Sequence, residues 1–273
     1  MTDKLLVFVP AYNCEPQIGT TLRRISGDAR RFVAEIIVVD NGSKDGTVRE
    51  ASRALDELSS IPGQVVRNSD NYNLGGSHKS AFRYAREGGF THVIVLHGDD
   101  QADINDVVPL LERGTHRRYD ACLGARFMSS SELKGYSRFR TVGNHVFNLL
   151  FTAVSGRRVH DLGSGLNVFA RSVFCDEDVH RYADDLRFNI YLLLGLIHKK
   201  FQITFFPITW KEEDQVSNVR LWSQSKKTLS IAVEYMTERK RFFQDDHREV
   251  ARDAYSFDVL HRNAAAEGMS AHG

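Results

Sequence analysis

The sequence predicts an α/β fold, a mostly parallel sheet flanked by helices. Strand-like apolar runs alternate with amphipathic stretches through residues 4–126, the β-α-β-α order that builds parallel sheets under helical cover. The runs are continuous, as in EIIVVD (35–40) and THVIVL (91–96), which suits strands buried on both faces. Chemistry-bearing residues follow the strand ends, where the ligand crevice of an open α/β sheet lies.

In chain order, KLLVFVP (4–10) reads as a first strand, EIIVVD (35–40) as a second and QVVRN (64–68) as a weaker third. THVIVL (91–96) is the fourth and DACLGAR (120–126) the fifth. Residues 15–27, 45–59, 76–88 and 104–114 lie between them with helical patterning. Regularity fades after about residue 127. A helix is expected over 137–155, where Val142, Val146, Leu149, Leu150 and Val154 recur at helical spacing. A second helix follows over 184–199, then a strand at ITFFPI (203–208) and a long helix over about 222–243. The closing AAAEGMSAHG reads as a frayed or disordered tail.

The chain has 273 residues, 42% hydrophobic and 26% charged, with a net charge of +1. That is ordinary for a globular protein and argues against nucleic acid as a partner. Cys14, Cys122 and Cys175 are far apart and odd in number. They form neither a metal spacing nor a disulfide framework, and a reducing cytosol fits them best. MTDKLLVFVPAYN lacks the pattern of a signal peptide. NLLFTAV and YLLLGLI fall far short of a membrane span. A cytoplasmic protein is expected, with room for contact at the inner face of the membrane.

THVIVLHGDDQ (91–101) is the most informative stretch. Carboxylates at the end of a buried strand suit Mg²⁺ or Mn²⁺, hard ions that bridge to phosphates. The alternative is an acidic turn, since Gly and Asp are ordinary turn residues. VPAYN (9–13), VVDNGSKDGT (38–47) and NYNLGGSHKSAFRYA (71–85) precede it, each after a strand. All four pieces therefore point to one edge of the sheet.

This ordered set resembles the family 2 glycosyltransferases of the GT-A fold, including dolichol-phosphate mannose synthases and bacterial polyprenyl-phosphate glycosyltransferases. The resemblance covers most of residues 4–220. It implies one GT-A domain over 1–220, with a nucleotide-binding half at about 1–126 and an acceptor half at about 127–220. A C-terminal helix and tail then occupy 221–273. It further implies a nucleotide-sugar donor (UDP-, GDP- or dTDP-linked), held by Pro10, Ala11, Tyr12, Asp40, Asn73, Gly75, His97, Gly98 and Asp99. Asp40 would contact the base or ribose; its alternative role, shared with Ser43 and Asp45, is to cap the turn. Lys79 reads as a phosphate contact or a solvated helix-face lysine. The metal motif of the family is Asp-x-Asp with a nearby Gln. Here Asp99 and Gln101 match it, while His97 stands at the first Asp position. A neutral imidazole can also ligate Mn²⁺, or His97 could simply pack.

In the second half the resemblance implies a polyprenyl phosphate or glycan acceptor, met by Arg126, Arg138, Arg140, Thr141, Asn144 and Ser164. Arg126 could grip a phosphate or form a structural ion pair. Arg138 and Arg140 could meet the lipid phosphate or mark an exposed helix start. For a hydroxyl acceptor, Asp161 or Asp185 would be the base; capping is the other reading of Asp185. EEDQVSNVRLW (212–222) occupies the place of the family's mobile loop, offering Ser217, Asn218 and Arg220 near Lys211. The expected activity is inverting, metal-dependent sugar transfer with Asp99, Asp161, Asp185 and Arg126 as catalytic candidates. The chain could also pair as a homodimer. A nucleotidyltransferase would carry a Gly-rich basic loop after strand one, where AYNCEPQIG stands. A Rossmann dehydrogenase would carry G-x-G-x-x-G there. A non-catalytic nucleotide-sugar-binding module is the remaining alternative, motivated by His97.

Overall fold

The computed structural model describes residues 3–212 and 221–270. The expectation for Ser217, Asn218 and Arg220 therefore lies outside the described residues. The first half is built from β1 (Leu5–Ala11), α1 (Glu15–Arg23), β2 (Val33–Asp40), α2 (Thr47–Glu57), β3 (Gly63–Asn68), α3 (Asn73–Glu87), β4 (His92–Leu96), α4 (Val108–Glu112) and β5 (Ala121–Ala125). Next come β6 (Glu132–Lys134), α5 (Arg138–Ser155), β7 (Leu166–Ala170), α6 (Arg171–Phe174), α7 (Phe188–His198), β8 (Ile203–Pro207) and β9 (Thr209–Lys211). The last elements are α8 (Leu221–Thr237), α9 (Arg239–Phe242), β10 (Phe257–Arg262) and α10 (Ala264–Ser270).

Eight strands form one sheet in the order β10-β3-β2-β1-β4-β7-β5-β8. Six run parallel; β7 opposes β4 and β5, and β10 opposes β3. The continuous apolar runs have a direct cause. Side chains alternate across a strand, and both faces of this sheet are covered. Leu6, Phe8, Ile37 and Val39 pack toward α3, α5, α7 and α8. Leu5, Val7, Val9, Ile36 and Val38 pack toward α1, α2 and α4.

Three expectations need correction. The helix expected over 104–114 is a 3₁₀ turn, Ile104–Val107, followed by the short α4. Asp103 caps the turn through the Asn105 N–H at 2.9 Å, and Pro109 at the start of α4 cannot donate to the preceding turn. The helix expected over 222–243 breaks at Glu238, whose backbone leaves the helical region, and resumes as α9. The tail is ordered through residue 270: β10 pairs with β3 and α10 follows it.

Asn263 ties this tail down. Its buried Oδ1 accepts from the Gly63 and Ala266 N–H groups at 3.0 and 3.1 Å. Its Nδ2 donates to the Leu55 and Ile61 carbonyls at 3.0 and 2.9 Å. Removing the amide strands several buried backbone groups, so Asn263→Ala should cost about 2–3 kcal/mol. An unchanged urea midpoint in that variant would mean the tail contributes nothing to the fold.

Candidate active site

The carboxyl ends of β1, β2, β3 and β4 meet at one edge of the sheet, beneath a cavity of about 520 Å³. Pro10, Ala11, Tyr12, Asn73, His97, Gly98 and Asp99 line it, together with Asp185 and Leu186 before α7 and Gln224 of α8. Two segments expected at opposite ends of the reaction, donor and base, thus share one space.

The turn after β4 aims Asp99. Gly98 lets the ends of β4 and β1 touch: its N–H donates to the Pro10 carbonyl at 3.1 Å, and a Cβ there would stand 2.8 Å from Ile18. Asp100 then takes a left-handed conformation (φ 60°) and pairs with Arg24 at 2.7 Å. Asp99 accepts the Gln101 N–H at 3.3 Å and its own backbone N–H, and has no ion-pair partner among the described residues. Burial raises its carboxyl above the usual range. The Gln101 side chain is not among the cavity lining; its carbonyl accepts from Lys211 N–H at 2.8 Å.

His97 lies beside Asp99 with a buried Nε2 that has no hydrogen-bond partner. Burial, and secondarily the charge of Arg126, push its imidazole down to about 4, so the ring is neutral at physiological pH. Gly165 makes room for it, since a Cβ there would stand 3.0 Å from the ring. His78 of α3 meets His97 edge-on, with ring centroids 6.4 Å apart.

An amide cluster supports the cavity wall, and the sequence did not reveal it. Asn41 Oδ1 accepts from Asn68 Nδ2 at 3.0 Å and the Tyr72 N–H at 2.8 Å, while Asn41 Nδ2 donates to Asn71 at 2.7 Å. Asn71 Oδ1 also accepts the N–H of Asn73 at 3.0 Å, whose φ of 56° is left-handed. The only signal was four Asn at strand ends, legible equally as turn residues.

Several expected contacts turn inward instead. Asp40 is fully buried below the cavity, accepting the Ser43 N–H at 3.1 Å and pairing with Arg67 at 2.7 Å. Gly75 abuts the 183–184 backbone, where a Cβ would collide with Ala183 O. Lys79 is neither solvated nor at a phosphate site. It is buried, with Asp184 at 2.7 Å and the Tyr182 carbonyl at 2.5 Å. Burial pulls its amine down to about 8, against the pull of Asp184. Tyr255, far along the chain, also donates to Asp184 at 2.7 Å.

Arg126 forms the structural ion pair, not an open phosphate grip. Asp161 accepts its Nε at 2.8 Å, its Nη2 at 2.9 Å and its backbone N–H at 2.9 Å. Asp161 also accepts the Gly163 N–H at 3.1 Å, which leaves it poorly placed to take a proton from a substrate. The guanidinium stacks over Trp210, 5.0 Å from the ring centroid. Burial lowers the Arg126 pKa most, but the charge and hydrogen bonds of Asp161 together, aided by Tyr136 and Glu212, drive the net shift upward. Ser164 is buried and donates to the Leu166 carbonyl at 3.1 Å. Asp185 lines the cavity but caps its turn, accepting the Arg187 N–H and Nε at 2.9 Å. Among the α5 candidates, Arg140 pairs with Glu212. Thr141 donates to Ser137 O at 3.1 Å, and Asn144 to the Tyr136 hydroxyl at 3.0 Å. Arg138 is exposed, with no partner among the described residues. A second group of ligand types, Asp3, His92 and His116, sits at the opposite sheet edge, where Asp3 already pairs with Arg117 at 2.7 Å.

Residues 6–176 match the profile described as Glycosyl transferase family 2. The chain belongs to that family. It is 24% identical over 217 residues to the polyprenol monophosphomannose synthase of Mycolicibacterium smegmatis, covering 78% of this chain and 79% of that one. It is 25% identical over 257 residues to the human dolichyl-phosphate beta-glucosyltransferase, covering 86% and 77%. The fold matches glucosyl-3-phosphoglycerate synthase from Mycobacterium tuberculosis, solved with Mn²⁺, UDP-glucose and phosphoglyceric acid. There the TM-score is 0.60 at 15% identity, covering 98% of this chain and 91% of that one. The GT-A architecture and the assignment as a glycosyltransferase follow.

Two outcomes test this geometry. Asp161→Asn leaves the buried guanidinium uncompensated and should destabilise the fold by about 3–5 kcal/mol; loss of turnover at unchanged stability would instead make Asp161 a catalytic base. Burial holds His78 at about 3 against the ordinary 6.5. Between those values the unfolded chain binds the extra proton, so the contribution is complete above about 6.5 and is lost as pH falls toward 3. Melting temperature should therefore decline from pH 7 to pH 5, and decline less steeply in His78→Met. An identical slope would refute the buried neutral imidazole.

Proposed function

We propose that this chain moves a sugar, with inversion, from a nucleotide-sugar to a polyprenyl phosphate, using Mg²⁺ or Mn²⁺ at Asp99. One observation carries the reading. Asp40, Asp161, Asp184 and Asp185 each hold an Arg or Lys already, whereas Asp99 holds none among the described residues. A carboxylate half-buried at a cavity wall without a cation is costly and suits a divalent ion. The unpartnered Nε2 of neutral His97 supplies a nitrogen donor beside it, and Gln101 is an outer candidate. The residues present therefore fit such an ion. When bound, it would neutralise the charge developing on the diphosphate leaving group.

The protein's own residues do the rest. Pro10, Ala11 and Tyr12 wall the nucleotide, and the Asn41–Asn71 cluster fixes the turn bearing Asn73. Asp40 acts from beneath, holding the 40–43 turn through Ser43. Preorganised groups of this kind need no rearrangement as charge develops. Both base candidates are already gripped by guanidinium groups, which favours an acceptor that is itself an anion and needs no base. A phosphate on a polyprenyl chain meets that requirement, and the names of the M. smegmatis and human relatives support it. Arg138, exposed at the start of α5, is the candidate to meet that phosphate. Reaction at the cytoplasmic face of a membrane is the matching location.

Melting temperature with UDP-, GDP- and dTDP-sugars, each with and without Mn²⁺, is the direct test. One donor should raise it only with metal; a ligand at a hundred times its Kd adds about 2.7 kcal/mol. In Asp99→Asn that shift should vanish and turnover should fall about a hundred- to thousandfold. Full activity in the variant would sink the metal assignment. Transfer to a sugar hydroxyl alone, abolished in Asp185→Asn, would replace the lipid phosphate with a glycan acceptor.

A further inference from the structure

Helices α5 and α8 pack on one another at the molecular surface, and each leaves an apolar row in solvent. On α5 the row is Phe139, Val142, Val146 and Leu149, between 61% and 78% exposed. On α8 it is Leu229, Val233 and Met236, between 50% and 62% exposed. The spacings of three and four residues put each row on one helix face. The inward faces of the same helices bury Phe151, Ile231, Ala232 and Tyr235, so the outer rows are surplus to the core. Contiguous exposed apolar surface of this kind marks an interaction site.

The charge around the rows identifies the partner. Helix α5 contains no acidic residue. The acids at α8 are turned to neighbours: Glu234 faces His247 at 4.0 Å, and Glu238, just beyond the helix, pairs with Arg241 at 3.3 Å. Arg138, Lys226 and Lys240 are exposed, with no acidic partner among the described residues. Arg138 lies one turn before Val142 and Lys226 one turn before Leu229, on the same helix faces. Long cationic side chains bordering an apolar row can lie along it and lift their charges to a headgroup layer. Helix α8 itself reaches the cavity, because its Gln224 lines the wall beside the half-exposed Leu186.

We propose that the α5–α8 face docks on an anionic lipid surface and brings the cavity mouth to the headgroup layer. The proposal rests on the polyprenyl-phosphate reading for its purpose, but not for its physical basis. The apolar rows enter the acyl boundary, the cations meet lipid phosphates, and an acceptor's phosphate reaches Arg138 while its chain stays in the bilayer. An in-plane amphipathic pair does this without a spanning helix, and no helix among the described residues is long and apolar enough to cross a membrane.

The full chain should co-sediment with vesicles of about one-third phosphatidylglycerol in phosphatidylcholine, and weakly or not with pure phosphatidylcholine. Leu149→Glu combined with Val233→Glu should weaken binding at least about tenfold. Lys226→Ser and Lys240→Ser should each weaken it about fivefold and lower its salt dependence. An unchanged melting temperature would certify these surface variants as folded. All should still transfer sugar to a water-soluble short-chain isoprenyl phosphate. Failure of the wild type to bind anionic vesicles, or equal binding by the Glu variant, would overturn the docking. So would a dimer that the Glu variant dissociates in light scattering, which would assign the face to a second copy. Vesicle binding without transfer to any isoprenyl phosphate would support the docking and overturn the acceptor reading.

Discussion

The register of three parallel strands is the constraint on which the site depends. Ala11 of β1 stands beside Asp40 of β2, and Leu5 to Phe8 run beside His92 to Val95 of β4. Once those partners are fixed, Tyr12, Asn41 and Asp99 must emerge at the same edge. A slip of one residue would also turn Phe8 and Ile37 to the opposite core. Burial on both faces thus sets the strand register, and the register sets where the chemistry stands. Gly98 belongs to the same constraint, because only a residue without a side chain lets the β4 end press on Pro10.

Buried ion pairs then fix the loops that the strands release. Lys79 reaches from α3 to Asp184, which also receives Tyr255 from the C-terminal segment and, through its carbonyl, the Gly75 N–H at 2.5 Å. The loop carrying Asp185 and Leu186 is thereby held from behind by two distant parts of the chain. Arg126 and Asp161 do the same for the β5 end and the turn before β7. Such pairs contribute little net stability against an apolar replacement, yet breaking one partner is costly. Their consequence here is placement.

The parts of the molecule legible in the sequence were those governed by local pattern. The strands through β5 and helices α1, α2, α3, α5 and α7 carry continuous apolar runs or helical spacing, and they stand within a few residues of expectation. Strand β7 was hidden inside LNVFA, five residues interrupted by an Asn that serves the adjacent turn. Strand β10 was hidden because it is an edge strand whose residues are mostly exposed, so no burial pattern marks it. Lys79 misled, and Arg126 stayed open between phosphate grip and ion pair, for one reason. A charged residue's partner is a matter of tertiary distance, and Asp184 and Asp161 lie 105 and 35 residues away.

Charge pairing also separates the two sites where a metal ion could be imagined. At the carboxyl edge, the neighbouring aspartates are neutralised from within the chain and Asp99 is left over, facing open volume beside a nitrogen without a partner. At the opposite edge, Asp3 has His116 and Arg117 both within 3 Å, so a further cation would have to displace an arginine. Three ligand-type residues close together therefore mean less than one carboxylate without a counter-charge. The difference does not depend on the motif, in which His97 departs from the family pattern. It follows from where the protein spent its own cations.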